Sequence, residues 1–181
     1  MAEQENGATA EQTAAKMKAE EEGMRVMVAI DESDGSLYAL SWTLDHFMAA
    51  SSTLAQPRSL IVFHAQQPFQ QFVVPAGQGV FVSASVTDSM RKAQEENSAH
   101  VLAKAIKVCE ERNVIAEALV MDGEPKEMIC QAVQQKSVDL VVVGSRGLGK
   151  FKRAFLGSVS DYVAHHAKCP VVIVKPPKED H

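Results

Sequence analysis

Cysteine is scarce in this sequence, and the few present do not pair by spacing. Cys109, Cys130 and Cys169 are odd in number and far apart, and no C-x-x-C occurs. That argues against a disulfide framework or a zinc site and for free thiols in a reducing compartment. Two fall on helical patterns and one just before a strand, so all three are expected as small buried hydrophobes. A basic excess is also missing: 18 basic against 23 acidic side chains leave a net charge of −5, which disfavours a general nucleic-acid binder. No apolar run approaches the ~20 residues that a membrane span requires. The first 23 residues lack a signal peptide's apolar core and are too acidic for a transit peptide. Neither end carries a lipidation or retrieval signal. These absences lead to the expectation of a cytoplasmic protein, with the nucleus left open.

What is present is an ample apolar complement, 46% of 181 residues, enough for one α/β domain with a short extension. The charge is unevenly spread. Residues 1–23 hold six acids and two bases, a net −4, and read as a solvated, disordered acidic tail. Residues 178–181 form a second short tail, leaving 24–177 as the domain. Between Gly144 and Ser158 stand Arg146, Lys150, Lys152 and Arg153 with no acid, a local +4.

From Arg25 onward, short β-rich runs alternate with helical periodicity. Arg25–Ile30 reads as a buried strand, followed by a turn from Asp31 to Gly35. Leu37, Leu40, Leu44, Phe47 and Met48 then recur at helical spacing. Leu60–His64 is a second strand, Asp88–Asn113 a long helix, and Val114–Met121 a third strand. Pro125 opens another helix at the turn where proline is favoured. Leu140–Val143, apolar throughout, suits a central strand of a parallel sheet. A last helix covers Ser158–Ala167, and Val171–Val174 is a fifth strand. Such alternation specifies right-handed βαβ units and a single doubly wound, Rossmann-like α/β domain with helices on both faces. One connection breaks the rhythm: Gln66–Thr87, 22 residues with Phe69, Phe72 and Phe81, reads either as a lid or partner surface or as aromatics packed over the sheet end.

In open α/β sheets ligands bind beyond the carboxyl ends of the strands, where strand order reverses. Two connections carry suitable chemistry. One starts at Asp31, the other at Gly144. The second holds several glycines, which permit positive φ and close approach of a ligand to peptide N–H groups. Gly157-Ser158 opens the next helix, whose free N–H groups attract anions. Ser158 is placed to cap that helix and to offer its hydroxyl to a phosphate. Standard phosphate motifs nonetheless fail here. Gly144 to Lys150 fits G-x-x-x-x-G-K, but Phe151 stands where a P-loop needs Ser or Thr. Lys152 takes the place of the last glycine of a dinucleotide fingerprint.

The spacing that does fit is G-x-x-G-x9-G-S, with Gly144, Gly147, Gly157 and Ser158 in register. Together with Val-Ala-Ile-Asp31, His64-Ala65 and Cys169-Pro-Val-Val-Ile-Val, it resembles the nucleotide-binding branch of the universal stress protein family, in its plant-like form. The resemblance covers about residues 24–177. It implies a five-stranded parallel sheet of order 3-2-1-4-5 that binds ATP or AMP. No metal site is expected from the residues themselves, and Mg²⁺ is an optional companion of the nucleotide phosphates. The resemblance sets Asp31 at the ribose and the backbone of Ala65 at the adenine edge. It runs Gly144 and Gly147 along ribose and phosphate, flanked by Val143 and Arg146, and gives the phosphate to Gly157, Ser158 and Val159. It also implies a homodimer formed through Val171, Val172, Ile173 and Val174, an unguarded edge, whereas Glu117 interrupts the other edge with a charge.

No nucleophile–base pair or metal motif accompanies this loop. A dimeric adenine-nucleotide sensor or regulator of the stress response is therefore the leading expectation. A slow ATP hydrolase or phosphotransferase and a nucleotide-free dimeric scaffold remain alternatives. His64 is read as a hydrogen-bonding structural residue, and His165-His166 as surface residues.

Overall fold

A computed structural model describes residues 23–49, 58–67, 84–146 and 156–177. Its elements are strand β1 (Met24–Ile30), helix α1 (Asp34–Thr43) continued by a π-helical turn over Leu44–Met48, β2 (Arg58–Gln66), α2 (Ala84–Glu110), β3 (Ala116–Asp122), α3 (Pro125–Gln135), β4 (Leu140–Gly144), α4 (Ser158–His166) and β5 (Val171–Val174). The five strands form one parallel sheet in the order β3-β2-β1-β4-β5. The doubly wound architecture and the order implied by the resemblance are both present.

Central strands are apolar on both faces because helices cover both. Along β1, Val26, Val28 and Ile30 pack with α1 and α2, while Met27 packs with α3 and α4. β2 divides Leu60 and Val62 from Ile61 and Phe63, and β4 divides Leu140 and Val142 from Val141 and Val143 in the same way. This is the period of two expected from the pleat. Each such side chain, taken fully out of water, contributes about 1.5–3 kcal/mol.

Element bounds differ from the sequence expectation where backbone pairing outruns the apolar run. β2 extends to Arg58 and Gln66 because it pairs with β1 from Arg58 and with β3 as far as Gln66. β3 begins at Ala116 rather than Val114. Asn113, with φ 56°, ends the preceding turn, and Ile115 is left 95% exposed outside the pairing. α2 starts a turn earlier than expected and, at 27 residues, is longer than the nine-residue β2 beside it. Its half from Ser85 to Asn97 is largely exposed, and Ser98, Val101, Ala105 and Cys109 are buried. The cysteine expectation needs a correction: Cys109 is buried, but Cys130 and Cys169 are only half-buried because they sit at the margin of the core on the α3–α4 side. No described helix is long and apolar enough to cross a membrane.

Candidate functional site

β1 and β4 are neighbours, yet their following helices go to opposite faces of the sheet. Their pairing ends at Ala29 opposite Val143, and the chains then part. This is the reversal point at which a crevice opens.

On the β1 side the connection is rigidly braced. Asp31 is half-buried, and its Oδ1 accepts hydrogen bonds from the Ser33 N–H at 3.0 Å and from the Ser33 hydroxyl. Ser33 is the N-cap of α1, its Oγ accepting from the Ser36 N–H at 3.2 Å. Buried Ser36 closes the turn: its hydroxyl accepts from the Asp31 N–H at 3.1 Å and lies 2.9 Å from the Ser33 carbonyl. Asp31 thus braces the capping serine. Among the described residues, no hydrogen bond reaches its Oδ2. Glu32 accepts from the side-chain amide of Asn97, joining this connection to α2.

The β4 side is held by two serines that sequence reasoning passed over. Buried Ser145 donates its N–H to the Val174 carbonyl at 2.8 Å, and its own carbonyl accepts from the Gly157 N–H at 2.9 Å. Buried Ser160 donates to the Gly157 carbonyl at 2.9 Å, with the Ser145 carbonyl 3.3 Å away. The two limbs of the connection, 144–146 and 156–158, are thereby fastened side by side. Gly157 is the N-cap of α4, with no side-chain cap. Ser158 is therefore the first helical residue and is exposed; the capping role expected of it is not what the fold uses. The first intrahelical bond runs from the Asp161 N–H to the Gly157 carbonyl at 2.9 Å. The N–H groups of Ser158, Val159 and Ser160 consequently have no helical acceptor.

Glycine brings the two connections together. A Cβ on Gly35 would lie 2.8 Å from the Arg146 carbonyl oxygen, and one on Gly144 would lie 3.0 Å from the Gly35 carbonyl oxygen. Neither glycine has a left-handed φ. Gly144 is thus required for backbone-to-backbone contact between β4 and the first turn of α1, not for the positive φ that the sequence suggested. Gly35 was missed. The Asp-Gly pair next to the capping Ser33 was its only sequence signal. By contrast, a Cβ on Gly157 would find ordinary contacts from 3.5 Å outward.

One strand over, Ala65 pairs with Met121 and is half-buried, just past the level of Ile30. His64 is buried, and its Nδ1 lies 3.0 Å from the Ile30 carbonyl oxygen. Val143 is buried between Ala29 and Ile173, and Val159 packs on the same side of the sheet. Gly147 lies outside the described residues, as do Lys150, Lys152 and Arg153 and the three phenylalanines of the long connection. His165 and His166 are exposed on α4.

Among the described residues, no three His, Cys, Asp or Glu side chains gather closely enough for a metal. The thiols are not activated. Burial pushes Cys109 from the usual 9.0 up to about 11 against the opposing pull of Arg112, and burial also raises Cys130 and Cys169.

The model of the universal stress protein family matches residues 24–175. A universal stress protein A-like protein of Arabidopsis thaliana is 31% identical over 163 residues, covering 85% of this chain and 91% of the relative. A crystal structure of a universal stress protein family member from Arabidopsis thaliana with AMP bound is similar at 27% identity and TM-score 0.60, covering 85% of this chain and 92% of that one. A universal stress protein in complex with cAMP is similar at 25% identity and TM-score 0.59, covering 84% and 97%.

Proposed function

The chain belongs to the universal stress protein family, and from that premise we propose that it binds an adenine nucleotide, AMP or ATP, in the crevice between β1 and β4. The observation that carries this reading is the arrangement at the reversal point. Asp31, whose Oδ2 takes no hydrogen bond among the described residues, stands on one wall, and the exposed N-terminus of α4 forms the other. The tight Gly35–Gly144 contact holds the walls together. Two similar proteins, which hold AMP and cAMP, add support to the ligand class.

In this reading Asp31 Oδ2 accepts from a ribose hydroxyl, and the backbone of Ala65 meets the adenine edge. The ribose and phosphate pass along Val143, Gly144, Arg146 and Gly147. The phosphate lies against Gly157, whose own N–H is given to the Ser145 carbonyl, and is held by the N–H groups of Ser158 and Val159 and by the Ser158 hydroxyl. The helix N-terminus suits an anion through its free N–H groups and its partial positive charge. Any Mg²⁺ would be held through the nucleotide phosphates.

The protein acts as a homodimeric sensor in this account, pairing through β5. Val171, Val172 and Ile173 are only half-buried on that edge strand, and a two-fold mate would cover them. Ser145 offers the route between site and interface, since its N–H is bonded to Val174 at the end of β5.

Titration calorimetry with AMP tests the binding site. The wild type is expected to bind in the sub-millimolar range. Ser158→Ala should weaken binding about two- to tenfold, by removing one neutral hydrogen bond. Asp31→Ala should weaken it about tenfold or more, because a charged acceptor is lost. Undiminished affinity in both variants would refute the placement.

A further inference from the structure

The side chain of His64 joins the two strands that flank the adenosine side of the crevice. β1 pairs with β4 only as far as Ala29, but with β2 as far as Ile30, which lies opposite His64. The Ile30 carbonyl is therefore at the place where the sheet splits, and a buried carbonyl requires a donor. The His64 ring, only 5% exposed, places Nδ1 3.0 Å from that oxygen. A carbonyl can only accept, so Nδ1 carries the hydrogen in this bond.

The position of this bond has a consequence for the ligand. Ile30 immediately precedes Asp31, and His64 immediately precedes Ala65. One hydrogen bond thus fixes the carboxylate assigned to the ribose relative to the backbone assigned to the adenine edge. We propose that His64 is a positioning residue for adenosine: its Nδ1–H bond to Ile30 sets the spacing between Asp31 and Ala65, and hence the preference for adenine over other bases. This rests on the nucleotide reading above. The phosphate end, built on α4 and braced by Ser145 and Ser160, is independent of it.

Three measurements on the full chain test the proposal. In ¹⁵N NMR of the wild-type protein, the His64 ring should show a protonated Nδ1; a bare Nδ1 would overturn the assignment. AMP and GMP are then titrated against His64→Asn, whose amide N–H can donate in place of Nδ1–H, and against His64→Leu, which cannot donate. His64→Asn should stay within about threefold of wild type for AMP. His64→Leu should lose about tenfold in AMP affinity and most of the AMP-over-GMP preference, a factor matching one lost buried hydrogen bond. A His64→Leu protein that keeps both affinity and preference refutes the positioning role. Hydrogen exchange without nucleotide separates this from the functional reading. Amides of residues 31–33 and 65–67 should exchange faster in His64→Leu but not in His64→Asn. If they do so while the wild type binds no AMP, the joint between strands stands and the nucleotide reading fails. If exchange is unchanged, the joint itself is refuted.

Discussion

At the scale of single residues, the glycines separate by what surrounds them. A methyl group on Gly144 must displace the Gly35 peptide at 3.0 Å, and backbone there cannot swing aside as a side chain would. Gly144→Ala should therefore cost about 1–3 kcal/mol, the usual penalty of overpacking, seen as a lower urea midpoint. Gly157→Ala, with no contact nearer than 3.5 Å, should cost no more than about 1 kcal/mol as an N-cap change. Equal costs would show that the contact between β4 and α1 is not the reason for Gly144. It also follows that Gly144 variants test the fold before they test the ligand. Cys109 supplies a different residue-level check. Its thiol is neutral in both states well below pH 9. From 9.0 to about 11 the unfolded chain ionises first, so unfolding releases a proton and stability falls as pH rises. Urea melts of wild type and Cys109→Ala between pH 8 and 10.5 should differ by a slope of up to about 1.4 kcal/mol per pH unit. Parallel pH profiles would contradict the burial of that thiol.

At the scale of elements, legibility followed burial. β1, β2 and β4 were readable because each is apolar on two faces. Their ends were less so, since Arg58 and Gln66 join the sheet through peptide groups that any side chain leaves available. The loop after β4 was legible as a pattern of glycines, but the reason for Gly144 was not. Gly35, which demands it, lies far away in sequence and meets it only once α1 packs on the sheet. Ser158 was read as a cap because a serine beside a helix start usually is one; Gly157 holds that place, and Ser160 provides the side-chain bond from within the first turn. Edge strands offer a test at this scale. β3 carries exposed Glu117, paired with Lys136 at 2.6 Å, whereas β5 carries no charge. Val172→Lys on β5 should give a monomer by light scattering at micromolar concentration, and Glu117→Ala on β3 should leave a dimer. A wild-type monomer would refute pairing through β5.

For the whole molecule, the distribution of charge and the placement of the site belong together. The acidic residues 1–22 join the domain at the start of β1, the end of the sheet opposite the crevice. The basic residues from Arg146 to Arg153 fall in the connection between β4 and α4. The net −5 is therefore a poor guide to the crevice, where an anionic ligand would meet the N-terminus of α4. An adenine nucleotide seated between the ends of β1 and β4 should leave its footprint in hydrogen-exchange mass spectrometry with and without AMP. AMP should slow exchange in residues 31–36, 64–67 and 144–160 and leave the opposite end of the sheet unchanged. Protection centred elsewhere, or none at saturating AMP and ATP, would contradict it.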